Sequence, residues 1–216
     1  MIDPPKMVLF DCDGVVVDSE VITNQVFRDD LAGRGLDLRL DQIMELFVGG
    51  TMSGAGQEAA RLGADIPADW LDIIYPKIYA ALEAEVEVVP GIVAVLDRLD
   101  ARAIPYAMGS NGRVTKMQIT LGRTRLLHRF EGRMYSAQDL GAPKPAPDVY
   151  LKAAADAGIE PSDCVVIEDS ASGAKAAVAA KIRCFGYTAD TPADRLAPHC
   201  DTVFDDMRDL PDLLGL

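Results

Sequence analysis

The sequence predicts an α/β protein, a parallel sheet core carrying an inserted α-helical domain. Three observations predict it. Strand-like apolar runs alternate with helical patterns of about ten residues along most of the chain, as right-handed crossover units and a parallel sheet require. One stretch of roughly seventy residues shows helical patterns alone, too long for an ordinary connection. The first apolar run, Met7-Val8-Leu9-Phe10, stops abruptly at Asp11 and Asp13, with Gly14 following. A buried strand that ends this way delivers charge to a site at its C-terminal end.

The elements follow in order. After the first run, the segment from Ser19 to Glu85 holds amphipathic helical stretches at Val21–Ala32, Asp41–Phe47, Ser53–Leu62 and Ala68–Ala84. Linkers are expected near Val16–Asp18 and Glu85–Pro90. Further strands are expected at Ile104–Ser110, Arg133–Ser136, Cys164–Glu168 and Ile182–Tyr187, with Thr202–Phe204 as a short edge. Helices Gly91–Arg102, Val114–Gly122, Pro147–Ala157 and Ala171–Ala180 lie between them. Pro90-Gly91 and Pro147 suit helix starts, and the alanine-rich run after Ser170 suits close packing on a sheet. The expected organisation is a Rossmann-like core from residues 1–17 and 87–216, and a helical domain from 18–86.

Composition narrows the classes of function. At 216 residues and 49% hydrophobic content, the chain can bury a sizeable core. A net charge of −13 argues against nucleic acid or an anionic membrane surface as partner. Cys12, Cys164, Cys184 and Cys200 have neither CxxC nor zinc spacing, so reduced thiols are expected. No apolar stretch approaches ~20 residues, and the run after Lys6 meets Asp11 too soon for a secretory signal. The expectation is a cytoplasmic monomer.

Polar residues at the strand ends form a constellation. Asp11 and Asp13 follow the first strand, Ser110-Asn111-Gly112 the second and Glu168-Asp169-Ser170 the fourth, while Lys144 lies between prolines beyond the third. In a parallel sheet these ends converge on one edge. Two carboxylates so close repel unless a proton or a cation separates them, so a divalent metal is implied. An EF-hand does not fit, because Val15 and Val16 stand where that loop needs a ligand and a glycine. A nucleophile, a metal site, hydrogen-bond donors and one ammonium suit phosphoryl transfer. Taken singly, Ser110-Asn111-Gly112 could be a turn, Lys144 a solvated lysine, and Asp169 or Ser170 a helix cap. Cys12 points away from its aspartate neighbours by strand alternation and is expected to pack.

In this order the four elements resemble the haloacid dehalogenase-like hydrolase superfamily over essentially the whole chain. The helical block resembles the cap of the subgroup that includes β-phosphoglucomutase and many sugar-phosphate phosphatases. The resemblance implies that Asp11 is a nucleophile forming an aspartyl-phosphate and that Asp13 is the general acid and then base. It implies Ser110, Asn111, Gly14 and Lys144 as phosphate-binding residues. It also implies Mg²⁺ held by Asp11, Asp13 (through its carbonyl), Asp169 and Glu168, the last as a ligand or a holder of water. An oxygen-only donor set favours Mg²⁺ over zinc.

Asp13 together with Asp169 speaks for phosphate over carbon–halogen cleavage, which needs no proton for the leaving group. A Schiff-base phosphonate hydrolase would need a cap lysine. Lys77 is the sole lysine of the cap, and surface charge is its expected role. The flanks Val17–Ile22 and Lys116-Met117-Gln118 resemble the bacterial 6-phosphogluconate phosphatases, so the expected partner is a small phosphorylated sugar or sugar acid. Substrate choice is expected from the cap residues Glu20 and Asn24 and from Gly49 and Gly50 of its glycine loop. The mutases of the subgroup carry a histidine at the position aligned with Thr23, and cations where this chain has Val48 and Met52. A phosphatase is therefore expected, with a phosphosugar mutase or a catalytically idle binding protein as the alternatives.

Overall fold

The computed structural model describes residues 4–47 and 51–216, so the expectations placed on Gly49, Gly50 and Val48 lie outside the described residues. The chain opens with β1 (Met7–Phe10) and β2 (Val17–Asp18), followed by the helices α1 (Glu20–Ala32), α2 (Leu40–Phe47), α3 (Met52–Arg61) and α4 (Trp70–Glu85). Then come β3 (Glu87–Val88), α5 (Ile92–Ala101), β4 (Tyr106–Ser110), α6 (Val114–Arg123), α7 (Leu127–Phe130) and β5 (Met134–Ser136). The last part holds α8 (Asp148–Ala157), β6 (Cys164–Glu168), α9 (Ala171–Ala180), β7 (Arg183–Tyr187), α10 (Ala193–Leu196), β8 (Thr202–Phe204) and α11 (Leu210–Leu213). Residues up to Asp18 together with Glu87–Leu216 make one compact unit, and Ser19–Val86 a second.

In the first unit, six strands form a parallel sheet in the order β5-β4-β1-β6-β7-β8. All four residues of β1 are buried, as a strand covered on both faces requires. Alternation divides them. Met7 and Leu9 join Ala107, Val166 and Cys184 in a cluster with the small residues of α8 and α9. On the other face Phe10 stacks edge-on against Tyr106 at 6.3 Å, and Tyr106 against Phe130 of α7 at 5.3 Å.

Two strands begin later than their apolar runs suggest, at Tyr106 and Arg183 and not at Ile104 and Ile182. The reason is helix capping. Ala103 and Lys181 take left-handed conformations, and the amides of Ile104 and Ile182 donate back to the carbonyls of Leu99 and Ala177. Each isoleucine therefore closes the preceding helix before the strand starts.

The two linkers are also different from expectation. Val17–Asp18 and Glu87–Val88 pair as a two-stranded antiparallel ribbon, Val17 opposite Val88 and Asp18 opposite Glu87. The Val89 amide extends the pairing by donating to the Val16 carbonyl at 3.1 Å. Strands of two residues carry no readable alternation, and their partners lie far apart in sequence.

The helical unit is organised around one buried carboxylate. Asp30 accepts from Arg34 Nε at 2.6 Å, Lys77 Nζ at 2.7 Å and Trp70 Nε1 at 2.8 Å. Lys77 is thus the partner of a buried anion and not a bare surface charge. Phe27 packs on Trp70 and Phe47, and α3 approaches Trp70 through Gly56, where a Cβ would come within 2.6 Å of the indole. Burial raises the Asp30 carboxyl, but its three donors outweigh that and hold it down at about 2. A depressed carboxylate contributes stability above its unfolded value, near 3.9, and loses it as pH falls through the folded one. Asp30→Asn is therefore expected to destabilise the protein by about 2 kcal/mol at pH 7. The gap should close between about pH 4 and pH 2, as urea unfolding of both proteins across that range would show.

Candidate active site

The sheet topology decides which residues meet. β1 lies between β4 and β6, with Phe10 in register with both Met108 and Ile167. Asp11, Ser110 and Glu168 therefore emerge side by side at one edge. The Asp11 amide still donates to the Ile167 carbonyl at 2.9 Å, so the aspartate is held by the sheet itself. Gly14 then turns the chain at φ +77°. A Cβ at Gly14 would stand 2.0 Å from Asp169 Oδ2, so only glycine allows this approach. Gly14→Ala is expected to displace Asp169 and weaken the affinity of this site for a divalent cation about 10–100-fold. Calorimetric titration of both proteins with a divalent cation would check it.

Lys144 enters from the loop between β5 and α8. Its amide donates to Asn111 Oδ1 at 2.8 Å, which gives Asn111 the task of tethering that loop. Its ammonium donates to Asp11 Oδ1 and, at 2.6 Å, to Glu168 Oε1, and lies 4.9 Å over the Tyr150 ring. Burial pulls this ammonium down, but Asp11 and Glu168 outweigh it and hold Lys144 above its usual range.

Glu168 is wholly buried. Its Oε1 accepts from Lys144 and from the Tyr150 hydroxyl at 2.8 Å, and its Oε2 from the Ser170 amide at 3.0 Å and hydroxyl at 2.9 Å. Four donors use the four acceptor positions of a carboxylate. The first turn of α9 closes on it at Gly173, where a Cβ would come within 1.6 Å of Oε1. Ser170 also caps α9 by accepting from the Gly173 amide.

Asp11, Glu168 and Asp169 each offer a carboxylate oxygen, and these oxygens lie within 4.8 Å of one another. Of these three buried carboxylates, Asp11 and Glu168 share the Lys144 ammonium. Burial first, with Glu168 and Asp13 adding and Lys144 opposing, pushes the Asp11 carboxyl up to about 7. Such a crowded, oxygen-only set fits a hard divalent cation, which relieves the repulsion. Asp13 stands apart from this cluster: its carboxylate accepts from Lys116 Nζ at 2.7 Å and faces Ser110 Oγ at 3.4 Å. Cys12 is buried, its thiol pushed well above the usual range by burial and the flanking aspartates.

Tyr150 and Lys116 belong to the site although no sequence motif marks Tyr150, and Lys116 reads in the sequence only as a flank. Both lie in the first turn of a helix and six residues beyond a site residue, Ser110 or Lys144. Side chains lean toward a helix N-terminus, so that spacing was the available signal. Glu20 and Asn24 lie on α1 of the helical unit, Asn24 buried and Glu20 partly so.

The chain resembles known proteins along most of its length. The family model of haloacid dehalogenase-like hydrolases matches residues 5–181. The 6-phosphogluconate phosphatase of Escherichia coli (strain K12) is 28% identical over 210 residues, covering 96% of this chain and 94% of its own. A conserved haloacid dehalogenase-like protein from Agrobacterium tumefaciens has a solved structure with a TM-score of 0.86 and 34% identity, covering 97% of both chains. A family hydrolase from Deinococcus radiodurans R1, solved with bound phosphate and sodium, gives 0.82 and 33%, covering 99% of this chain and 96% of that one.

Proposed function

The chain belongs to the haloacid dehalogenase-like hydrolase family, and from that premise we propose that it is a phosphatase acting on a small phosphorylated metabolite, a sugar or sugar-acid phosphate. The observation that carries the reading is the pairing of Asp11 with the buried Lys144 beside the Asp11–Glu168–Asp169 cluster. A carboxylate nucleophile, a fixed cation and a metal-competent group thus share one sheet edge.

In this reading Asp11 attacks phosphorus, and Lys144 and Ser110 hold the phosphoryl oxygens. Asp13, held by Lys116, gives its proton to the departing alkoxide, leaving an aspartyl-phosphate on Asp11. Asp13 then takes a proton from water, which attacks phosphorus and restores Asp11. Mg²⁺ would be held by Asp11, Asp169 and the Asp13 carbonyl, and when bound it neutralises charge between two anions. Glu168 holds Lys144 and, as a member of the same carboxylate cluster, would serve the metal as a further ligand or through a bound water. The helical unit is read as the cap that selects substrate, with Glu20 and Asn24 as its contributors.

Water, not a second sugar phosphate, is the proposed acceptor. A mutase must grip a bisphosphate at two ends. The cations of the helical unit, Arg28, Arg34, Arg39, Arg61 and Lys77, each pair with a carboxylate of that same unit. No helix among the described residues is long and apolar enough to cross a membrane. A cytoplasmic location and a monomeric state are part of the proposal.

EDTA is expected to abolish turnover of phosphorylated sugars and sugar acids, and Mg²⁺ to restore it. Full activity in EDTA would overturn the metal assignment. The companion assay supplies β-glucose 1-phosphate with a trace of the 1,6-bisphosphate. Inorganic phosphate agrees with the proposal, and efficient formation of glucose 6-phosphate contradicts it.

A further inference from the structure

Two thiols lie outside the site just described. Cys184, in β7, is fully buried, and Cys200, just ahead of β8, is half-buried. Their sulfurs are 3.6 Å apart. The surroundings hold them there. Gly186 shares a strand face with Cys184, and a Cβ at Gly186 would stand 2.9 Å from Cys200 Sγ, so the glycine leaves the hollow that this sulfur fills. Asp201, next to Cys200, clamps Cys184 from both sides. Its amide donates to the Cys184 carbonyl at 2.8 Å, and its Oδ2 accepts from the Cys184 amide at 2.8 Å. Cys200 is the more exposed of the two sulfurs, so an incoming reagent meets it first.

We propose that Cys184 and Cys200 form a thiol–disulfide redox site, oxidised by a low-molecular-weight disulfide of the glutathione type. The Cys200 thiolate attacks one sulfur of the reagent, breaking its S–S bond and releasing one thiol. The Cys184 sulfur then attacks Cys200 Sγ, expelling the second thiol and giving up its own proton. Two protein S–H bonds are lost and one S–S bond forms, while the reagent disulfide is reduced to two thiols. The new bond ties β7 to the segment entering β8, on the strand where Gly186 is in register with Glu168.

The test incubates the whole folded protein with oxidised glutathione, quenches it with acid, and measures intact mass and disulfide-linked peptides. Loss of the mass of two hydrogens and a peptide joining Cys184 to Cys200, both reversed by dithiothreitol, are expected. Cys184→Ala should stop at a stable glutathionyl adduct on Cys200, with circular dichroism checking that the variant folds. If that variant does not fold, the wild-type peptide map decides alone. Thiols that stay unlinked on prolonged incubation, or a link through Cys12 or Cys164, would overturn the proposal.

Discussion

Lys144→Met is expected to damage both catalysis and stability, and the two losses have one cause. The ammonium is almost completely buried and shared between Asp11 and Glu168. Deleting one partner of a buried ion pair leaves the rest uncompensated, at a typical cost of about 3–5 kcal/mol. Methionine keeps the unbranched stem as far as Cε but lacks the ammonium, leaving Asp11 and Glu168 facing each other. The proposed clamp on phosphoryl oxygens is lost too, so turnover should fall by about 10²–10³. Urea unfolding in EDTA reads the first effect and steady-state kinetics the second. Mg²⁺ should recover part of the stability but little of the rate, because it can screen the carboxylates but cannot replace the clamp. Lys152→Met is the control, since Lys152 pairs with Asp156 at the surface. Exposed pairs are worth about 0–1 kcal/mol. Equal behaviour of the two variants would refute the role given to Lys144.

Asp11→Asn should separate activity from stability. An amide cannot form an acyl-phosphate, so turnover is expected to fall by about 10⁴ or more. Asp13→Asn, which removes the proposed acid–base group but leaves the proposed nucleophile, should cost about 10²–10⁴. Stability moves the other way in metal-free protein. Burial and neighbouring carboxylates raise Asp11 to about 7. A carboxyl raised on folding disfavours the folded state as pH climbs from its unfolded value, near 3.9, through the folded one. At pH 8 in EDTA the asparagine variant should therefore exceed wild type by roughly 1–4 kcal/mol, and near pH 4 the gap should vanish. Saturating Mg²⁺ should also narrow it, because the cation supplies the charge that the crowded carboxylates lack. A variant less stable than wild type at pH 8 in EDTA would mean that the cluster is not under charge strain.

Much of this was legible in one dimension. The alternation of strands and helices, the abrupt end of β1 at Asp11, and Ser110 and Glu168 at the ends of β4 and β6 follow from local periodicity and composition. Local pattern is enough there because a buried parallel strand demands continuous apolar residues, and its polar terminus must lie at an edge. Tertiary structure alone decided the partners. Tyr150 under Lys144, Lys116 on Asp13, Asn111 on the Lys144 amide, Lys77 on Asp30, the ribbon of Val17–Asp18 with Glu87–Val88, and the Cys184–Cys200 pair all join residues from different elements. The late starts of β4 and β7 are a local matter instead, since the amides of Ile104 and Ile182 close the preceding helices within five residues. Periodicity records which face a residue takes, whereas a hydrogen bond depends on where two faces come to rest. That position is set by packing across the whole sheet, which no local window of sequence contains.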